Sequence, residues 1–486
     1  MTVQLFLYGR LHGIEDFLLS PPAVEGQESA GDEALVAGRS HWVALLAEVL
    51  PRALLAELGL ARILLGFSGG GRFLIVLPSE AQQQAEALLA AAAAGIRLLS
   101  EGKLRLVWAF TENLGDWSLV RKRLAEQLWV DESRIGPQEW CEGFFDPCAP
   151  EAARQFHSYF RDRLAAKVFE ASTAGWSVER PAEILIGEGK YQWPLVVGED
   201  AILMARHVAL SDDSRAPASL EDLARRASGR PYWGVLRGDV DNFAVLLRRQ
   251  ATIEEYLQVS VMFRQFFVGE LEMLCSMPEF WRKVTILYTG GDDFAVYGSW
   301  DALLTLAREL QRVFHRFCEA NLQQQPGPEG KTITMSLALA EELATPFAFV
   351  YEEAARNLQA AKSAGKDCIH AFGRTLEWKQ FAQAAELKDS MMQLVEEFHC
   401  STQFLSELSS FYHDRLPARA HGQPRQDRPW RYHRRFYVAA GGSRDREFMK
   451  LRTRLVTDLI GRSPTQVRLR PAGRVAVEWA RLLIEA

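Results

Sequence analysis

Three aspartates carry the chemistry this sequence offers. Two stand together in "YTGGDDFAVYG", Tyr288 to Gly298, as Asp292 and Asp293, and the third, Asp239, lies upstream in "LRGDVDNFA". Hard divalent cations prefer oxygen ligands, and magnesium commonly binds through one or two carboxylates together with substrate phosphates. Two such ions, magnesium or manganese, polarise an α-phosphate, activate an attacking hydroxyl and neutralise a departing pyrophosphate. The three acids therefore read as a nucleotidyl-transfer site, with a plain turn as the alternative, because Asp and Gly are also ordinary turn residues.

The surrounding elements must bring the acids together. Val284–Tyr288 and Phe294–Gly298 are rich in β-branched and aromatic residues, and the short Gly/Asp stretch between them makes a β-hairpin. Gly290 and Gly291 allow unusual backbone angles and close approach of a ligand, which leaves Asp292 and Asp293 at the hairpin tip. Upstream, an apolar strand from Trp233 to Leu236 runs into Asp239-Val240-Asp241, and a helical pattern follows with Tyr256, Phe263, Phe267, Leu271 and Leu274 on one face. The order strand, acidic turn, helix, acidic hairpin can set Asp239 beside Asp292 and Asp293. Farther on, a helix stops near Gly365, with Lys362 and Lys366 four apart on one side of its end. They suit triphosphate binding, since phosphate chemistry rests on clamping charge; a solvated cationic helix end is the alternative.

The hairpin is repeated inside the chain. "LLGFSGGGRFLIVLP", Leu64 to Pro78, aligns with "ILYTGGDDFAVYGSW", Ile286 to Trp300: Ser68 with Thr289, Gly69-Gly70 with Gly290-Gly291, and Phe73 with Phe294. Gly71 and Arg72 occupy the two acidic positions. "LHGIEDFLLS", Leu11 to Ser20, and "VAGRSHWVALLAEVL", Val36 to Leu50, are expected to supply the strand and helix of this first copy.

The acidic loop resembles that of diguanylate cyclases, but Phe243 is followed by "AVLLRRQ", without the Lys and guanine-reading residues usual there, and no R-x-x-D falls on Trp281 to Val284. Two palms, one acidic and one not, resemble the large subunit of type III CRISPR effector complexes, the Cas-ten family, and particularly its Csm-type members. The quoted motifs of both palms, with "AAKSAGKDCIHAFGRTLEW" from Ala360, carry this resemblance over nearly the whole chain. It implies an α/β (α+β) fold with two ferredoxin-like palm domains, a middle mixed domain and a C-terminal helical domain, at 1–113, 114–225, 226–376 and 377–486. It also implies cyclic oligoadenylate synthesis from ATP, held as two molecules between the palms, when target RNA binds.

Carried onto these residues, the resemblance implies metal binding by Asp239, Asp292 and Asp293 and the carbonyl of Val240, and triphosphate holding by Lys362 and Lys366. Gly69, Gly70, Gly290 and Gly291 would let ATP approach the hairpins. Ser260 is a weaker adenine-reading candidate, and Asp241 a supporting or structural acid. Implied partners are CRISPR RNA, complementary target RNA, Cas-five-like and Cas-seven-like backbone subunits and small helical subunits. Two other readings stay open: a palm scaffold without catalysis, and a synthase joining AMP to another acceptor such as S-adenosylmethionine.

Departures from the family pattern shape further expectations. The first palm starts almost at Met1, so no HD nuclease domain is expected, and with it no single-stranded DNA nuclease activity; His413-Asp414 lacks the separated partners such a site needs. Cys141 and Cys148 are a lone C-x6-C where relatives carry a four-cysteine element, and zinc is not expected. "RLPARAHGQPRQDRPWRYHRR", Arg415 to Arg435, holds seven arginines and one aspartate with Trp430 and Tyr432 interleaved. It suits RNA backbone contact or stacking, or equally a solvated loop or a protein contact.

Composition bounds the rest. The 486 residues exceed one ordinary core, and 48% hydrophobic with 24% charged residues describe a globular chain. A net charge of -6 argues against coating nucleic acid with the whole surface. Six cysteines without regular spacing fit a reducing compartment. Arg10, His12, Glu15 and Asp16 come too early for a signal-peptide core, and no apolar run approaches a membrane span, so a cytoplasmic protein is expected.

Overall fold

The structure, a computed structural model, describes residues 3–20, 32–134, 156–195, 197–213, 215–413, 429–442, 445–461 and 469–484. Cys141, Cys148, Asp414 and the Arg-rich stretch up to Arg428 lie outside the described residues.

The first sheet is built from β1 (Gln4–His12), β2 (Leu65–Gly69), β3 (Arg72–Pro78) and β4 (Arg105–Glu112), in the order β2-β3-β1-β4. Its helices are α1 (Ile14–Leu19), α2 (Asp32–Glu57) and α3 (Gln82–Leu99), and α4 (Trp117–Arg134) packs on β4. The opening strand is Gln4–His12 and not Leu11–Ser20. Gly13, with φ 81°, breaks the strand, and Glu15 and Asp16 then occupy the first turn of α1, where carboxylates complement the helix dipole.

The second sheet follows the same plan. β8 (Trp233–Val240), β9 (Val284–Thr289), β10 (Asp293–Ser299) and β11 (Ile333–Ala340) lie in the order β9-β10-β8-β11, and β12 (Cys368–Ala371) and β13 (Arg374–Glu377) extend the sheet beyond β11. Between β8 and β9 run α6 (Phe243–Arg248) and α7 (Ile253–Gln265), the latter continuing through a π-helical turn at Phe266–Glu270 into α8 (Leu271–Cys275). Helices α9 (Trp300–Asn321) and α10 (Phe347–Ala364) complete the unit. Phe263, Phe267, Leu271 and Leu274 are buried, as their helical spacing requires.

The copies match at the level of single residues. Gly9 pairs with Phe73 in the first sheet and Gly238 with Phe294 in the second. A Cβ at either glycine would stand within 2.1 or 2.2 Å of the phenylalanine ring, so the ring fits only over a glycine. Each hairpin also skips one residue at the same place, Gly66 between Leu65 and Phe67 and Leu287 between Ile286 and Tyr288.

A three-stranded sheet, β6 (Leu185–Ile186), β5 (Thr173–Trp176) and β7 (Tyr191–Pro194), follows α4, and α5 (Leu220–Arg225) precedes β8. α2 is buried nearly all round because it is enclosed: Trp42 packs against Phe17 and Phe160, and its indole N–H donates to Ala182 O at 2.8 Å. One apolar core joins Leu7, Trp42 and Ile75 to Trp176, Trp233, Tyr297 and Tyr351, so both sheets share it. After β13 the described residues are helical: α11 (Trp378–Glu396), α12 (Gln403–His413), α13 (Pro429–Ala439), α14 (Arg446–Leu459) and α15 (Pro471–Ile484). Phe381 on α11 stacks on Trp479 of α15 at 5.6 Å. Among the described residues, no helix is long and apolar enough to cross a membrane.

Candidate active site

The site begins with strand register. β8 and β10 are antiparallel neighbours, and the last cross-strand pair is Asp239 opposite Asp293. Asp292 sits one residue outward, and its carbonyl accepts the Val240 amide at 2.8 Å. The hairpin closes because Gly290 N donates to Asp293 O at 2.7 Å. A Cβ at Gly290 would lie 1.9 Å from an Asp293 carboxylate oxygen, so glycine is there to admit that carboxylate, whereas Gly291 has open space around it.

Basic and phenolic groups hold the acids apart. Lys362, in the last turn of α10, reaches Asp239 Oδ1 with Nζ at 2.7 Å. Tyr288 OH donates to Asp293 Oδ2 at 3.3 Å and accepts from Arg237 Nη2 at 3.3 Å. Arg237 is only 7% exposed; it lies over the Tyr351 ring at 4.4 Å and pairs with Glu15 of α1 at 2.6 Å. Burial pushes the Tyr288 phenol well up, which keeps the proton it donates. Burial together with the Asp293 and Asp239 charges raises Asp292 to about 7. Burial also raises Asp293, helped by Asp239, and raises Asp239 against the pull of Lys362.

These groups open into a cavity of about 490 Å³ between the sheets. Both hairpin tips line it: Gly69, Gly70, Gly71 and Arg72 from the first, Gly290, Gly291, Asp292 and Asp293 from the second. The arrangement is reciprocal, since α2 packs against β9 and α7 against β2. Ser40 Oγ on α2 donates to the carbonyl of the skipped Leu287 at 2.6 Å. Arg264 on α7 pairs with Glu48 on α2 at 2.6 Å, and Glu48 accepts from Arg52 and from Ser68 at 2.7 Å each.

The structure thus gathers Asp239, Asp292, Asp293, Gly69, Gly70, Gly290, Gly291 and Ser260 around one cavity. Ser260 donates its hydroxyl to Tyr256 O of its own helix at 2.8 Å. Val240 reaches the hairpin through its amide, and its side chain is in the core. Lys362 joins through Asp239, but Lys366 does not line the cavity and donates instead to Asn242 Oδ1 at 2.6 Å. Asp241 is structural: buried, it accepts from Thr332 and Thr334 hydroxyls at 2.7 Å and from the Asp367 amide at 3.0 Å. Tyr432 is buried against Phe411 at 4.9 Å, and Arg435 pairs with Glu407, so neither is a free stacking or phosphate group. Arg237, Tyr288 and Glu15 were not singled out from sequence; Arg237 lies two residues before Asp239 and shares its strand face, a period-two signal.

Among the described residues, no three His, Cys, Asp or Glu side chains converge as a ready metal cage. The donors nevertheless fit magnesium or manganese: a cross-strand carboxylate pair with a third acid alongside, opening on a cavity, is the set expected where substrate phosphates supply the remaining ligands. Protonation and Lys362 relieve their repulsion meanwhile. The four described cysteines are unpaired.

Two apposed sheets share one strand order, and one of them bears the acids. Residues 232–370 match the family described as Cas10/Cmr2, second palm domain. A 179-residue stretch is 24% identical to the CRISPR system single-strand-specific deoxyribonuclease Cas10/Csm1 (subtype III-A) of Thermococcus onnurineus (strain NA1), covering 34% of this chain and 22% of that protein. The protein of the same description from Mycobacterium tuberculosis (strain ATCC 25618 / H37Rv) is 31% identical over 134 residues, 24% of this chain and 17% of that one. The matched stretches therefore take in less than a quarter of these relatives' own lengths. The Csm1-Csm4 cassette in complex with cA4 superposes with a TM-score of 0.70 over 99% of this chain and 70% of that one, at 17% identity. The cassette with one ATP gives 0.70 over the same shares, at 18%. At such identity the likeness speaks for the fold. Residues 232–370 thus match a Cas10/Cmr2 second palm domain, and the chain is similar to Cas10/Csm1 proteins of type III CRISPR systems, those of the Csm type.

Proposed function

We propose that this chain is the large subunit of a type III CRISPR RNA-guided complex and makes cyclic oligoadenylate from ATP when target RNA binds. The observation that carries the reading is the Asp239–Asp293 cross-strand pair, with Asp292 beside it, at the wall of a cavity between two palms. A volume of about 490 Å³ is within the range of small-molecule sites, about 300–1,000 Å³. Related cassettes have been solved with ATP, with pppApApA and with cA4, which supports the same ligand class here.

In the proposed reaction the 3′-oxygen of one ATP bonds to the α-phosphorus of the other. The bond from that phosphorus to the bridging oxygen breaks, pyrophosphate leaves, and the hydroxyl proton is lost to solvent. Asp239, Asp292 and Asp293 would hold two magnesium or manganese ions with the Val240 carbonyl nearby. When bound, these ions supply Lewis-acid polarisation of the α-phosphate and offset the leaving group's charge. Lys362 then exchanges Asp239 for phosphate, while Tyr288 and Arg237 keep Asp293 oriented. Lys366 would reach a triphosphate only by leaving Asn242.

The division 1–113, 114–225, 226–376 and 377–486 belongs to the same proposal, with α4 built onto the first sheet. CRISPR RNA, target RNA, Cas-five-like and Cas-seven-like backbone subunits and small helical subunits are the proposed partners; a Csm1-Csm4 subcomplex within the type III-A Csm interference complex is known for a relative in structure. The test is product identification by mass spectrometry after assembly with guide and target RNA and addition of ATP, with and without S-adenosylmethionine. Cyclic oligoadenylate supports the reading; an AMP conjugate of the added acceptor, or intact ATP, replaces it with another synthase or a scaffold.

A further inference from the structure

The acidic palm has a basic counterpart at the same coordinates of the fold. In the second sheet the pair at the hairpin mouth is Asp239 opposite Asp293; in the first sheet the pair at that place is Arg10 opposite Arg72. The equivalence rests on structure and not on alignment alone. The preceding pair is Gly with Phe in both sheets, and the skipped residue falls at the same step of both hairpins.

Both arginines line the cavity with the three aspartates. The hairpin tips almost touch, since a Cβ at Gly70 would stand 3.3 Å from the Gly291 amide nitrogen. Like charges directly opposite on paired strands repel, and among the described residues neither guanidinium forms an ion pair with a carboxylate. Arg72 stays charged: burial acts to lower its pKa, but Tyr8, Asp292, Tyr256 and Asp293 outweigh that and raise it. Two arginines opposite each other on paired strands at a cavity wall offer planar forks of the kind that bind the oxygens of a polyphosphate bidentately.

We infer that Arg10 and Arg72 hold the triphosphate of one of the two nucleotides without a metal ion, so that the cleft has one metal-dependent and one metal-independent phosphate site. Reaction chemistry says which nucleotide this is. The ATP that is attacked needs its α-phosphate activated and belongs at the aspartates. The ATP that supplies the hydroxyl keeps its phosphates through that step and needs only to be held. This assignment takes the ligand's identity from the nucleotidyl-transfer reading, while the arginine pair is an observation independent of it.

The test is ATP binding to the full chain in excess EDTA, where no turnover competes, by equilibrium dialysis. The expected result is one ATP per chain, weakened about tenfold or more in Arg10→Ala and in Arg72→Ala and only partly restored in Arg72→Lys, which keeps the charge but not the fork. Asp292→Asn/Asp293→Asn should bind no more weakly than wild type, because it removes negative charge from the cleft. Unchanged melting of the arginine variants without nucleotide would separate lost contact from lost fold. No metal-free binding in wild type, or equal binding in all arginine variants, overturns the inference, as does wild-type product formation by Arg10→Ala/Arg72→Ala. Arginine-dependent binding in a complex that makes no oligoadenylate keeps the inference and removes the proposed reaction instead.

Discussion

Asp292 shows most directly what these residues give up for their role. Its pKa stands near 7 because burial and two neighbouring carboxylates oppose its charge. Between the ordinary carboxylate range and that value, the folded chain holds a proton the unfolded chain has released. Stability without metal therefore falls as pH rises through this window. Asp292→Asn should melt higher than wild type at pH 8 in EDTA, by about 2–4 °C, and lose product formation by about 100-fold. An equal or lower melting temperature in calorimetry would mean that the carboxylates are not in repulsion. The same proton must leave before a cation binds, so manganese affinity should drop by about tenfold per pH unit below pH 7. Titration calorimetry in buffers of different ionisation heat should record the proton released; its absence would contradict the assignment of Asp292 as a ligand.

At the scale of elements, much of this was legible. β-branched and aromatic runs around Gly-Gly-Asp-Asp mark the hairpin, and helical spacing marks α7, because both signals are local. Leu11–Ser20 is apolar enough to read as a strand, whereas Gly13 ends the strand Gln4–His12 and the acids after it start a helix. Glu15–Arg237 and Glu48–Arg264 join residues more than 200 positions apart, and only the apposition of the two sheets and their helices creates them. The Arg10–Arg72 pair stayed hidden for the same reason, since strand register is set by tertiary pairing. Glu48 holds the apposition: its side chain is 4% exposed and joins Arg264 of α7 to Arg52 and Ser68. Glu48→Ala takes from buried Arg52 its 2.7 Å carboxylate, leaving it Asp200 at 3.4 Å, and should cost about 2–3 kcal/mol in urea unfolding, with Glu48→Gln costing less because it still accepts from Ser68. A loss under about 1 kcal/mol would show that the helix–hairpin contact does not depend on this network.

For the whole molecule, the two sheets are one working unit. They share a core through Trp233, Tyr297 and Tyr351 on one side and Leu7, Trp42 and Ile75 on the other, which fixes the width of the cleft. The duplication was readable from the repeated Gly-Gly-x-x-Phe, and the common strand order extends it to the full sheet. What composition could not reveal is how unlike the two walls of the cleft are in charge, with aspartates on one and arginines on the other. The most direct measurement is pyrophosphate release from ATP by the assembled complex, with and without target RNA, beside the same complex carrying Asp292→Ala/Asp293→Ala. The account predicts one pyrophosphate per linkage formed, dependent on target RNA and absent from the variant. Release of orthophosphate in its place, or equal release by the variant, would contradict nucleotidyl transfer at this cleft.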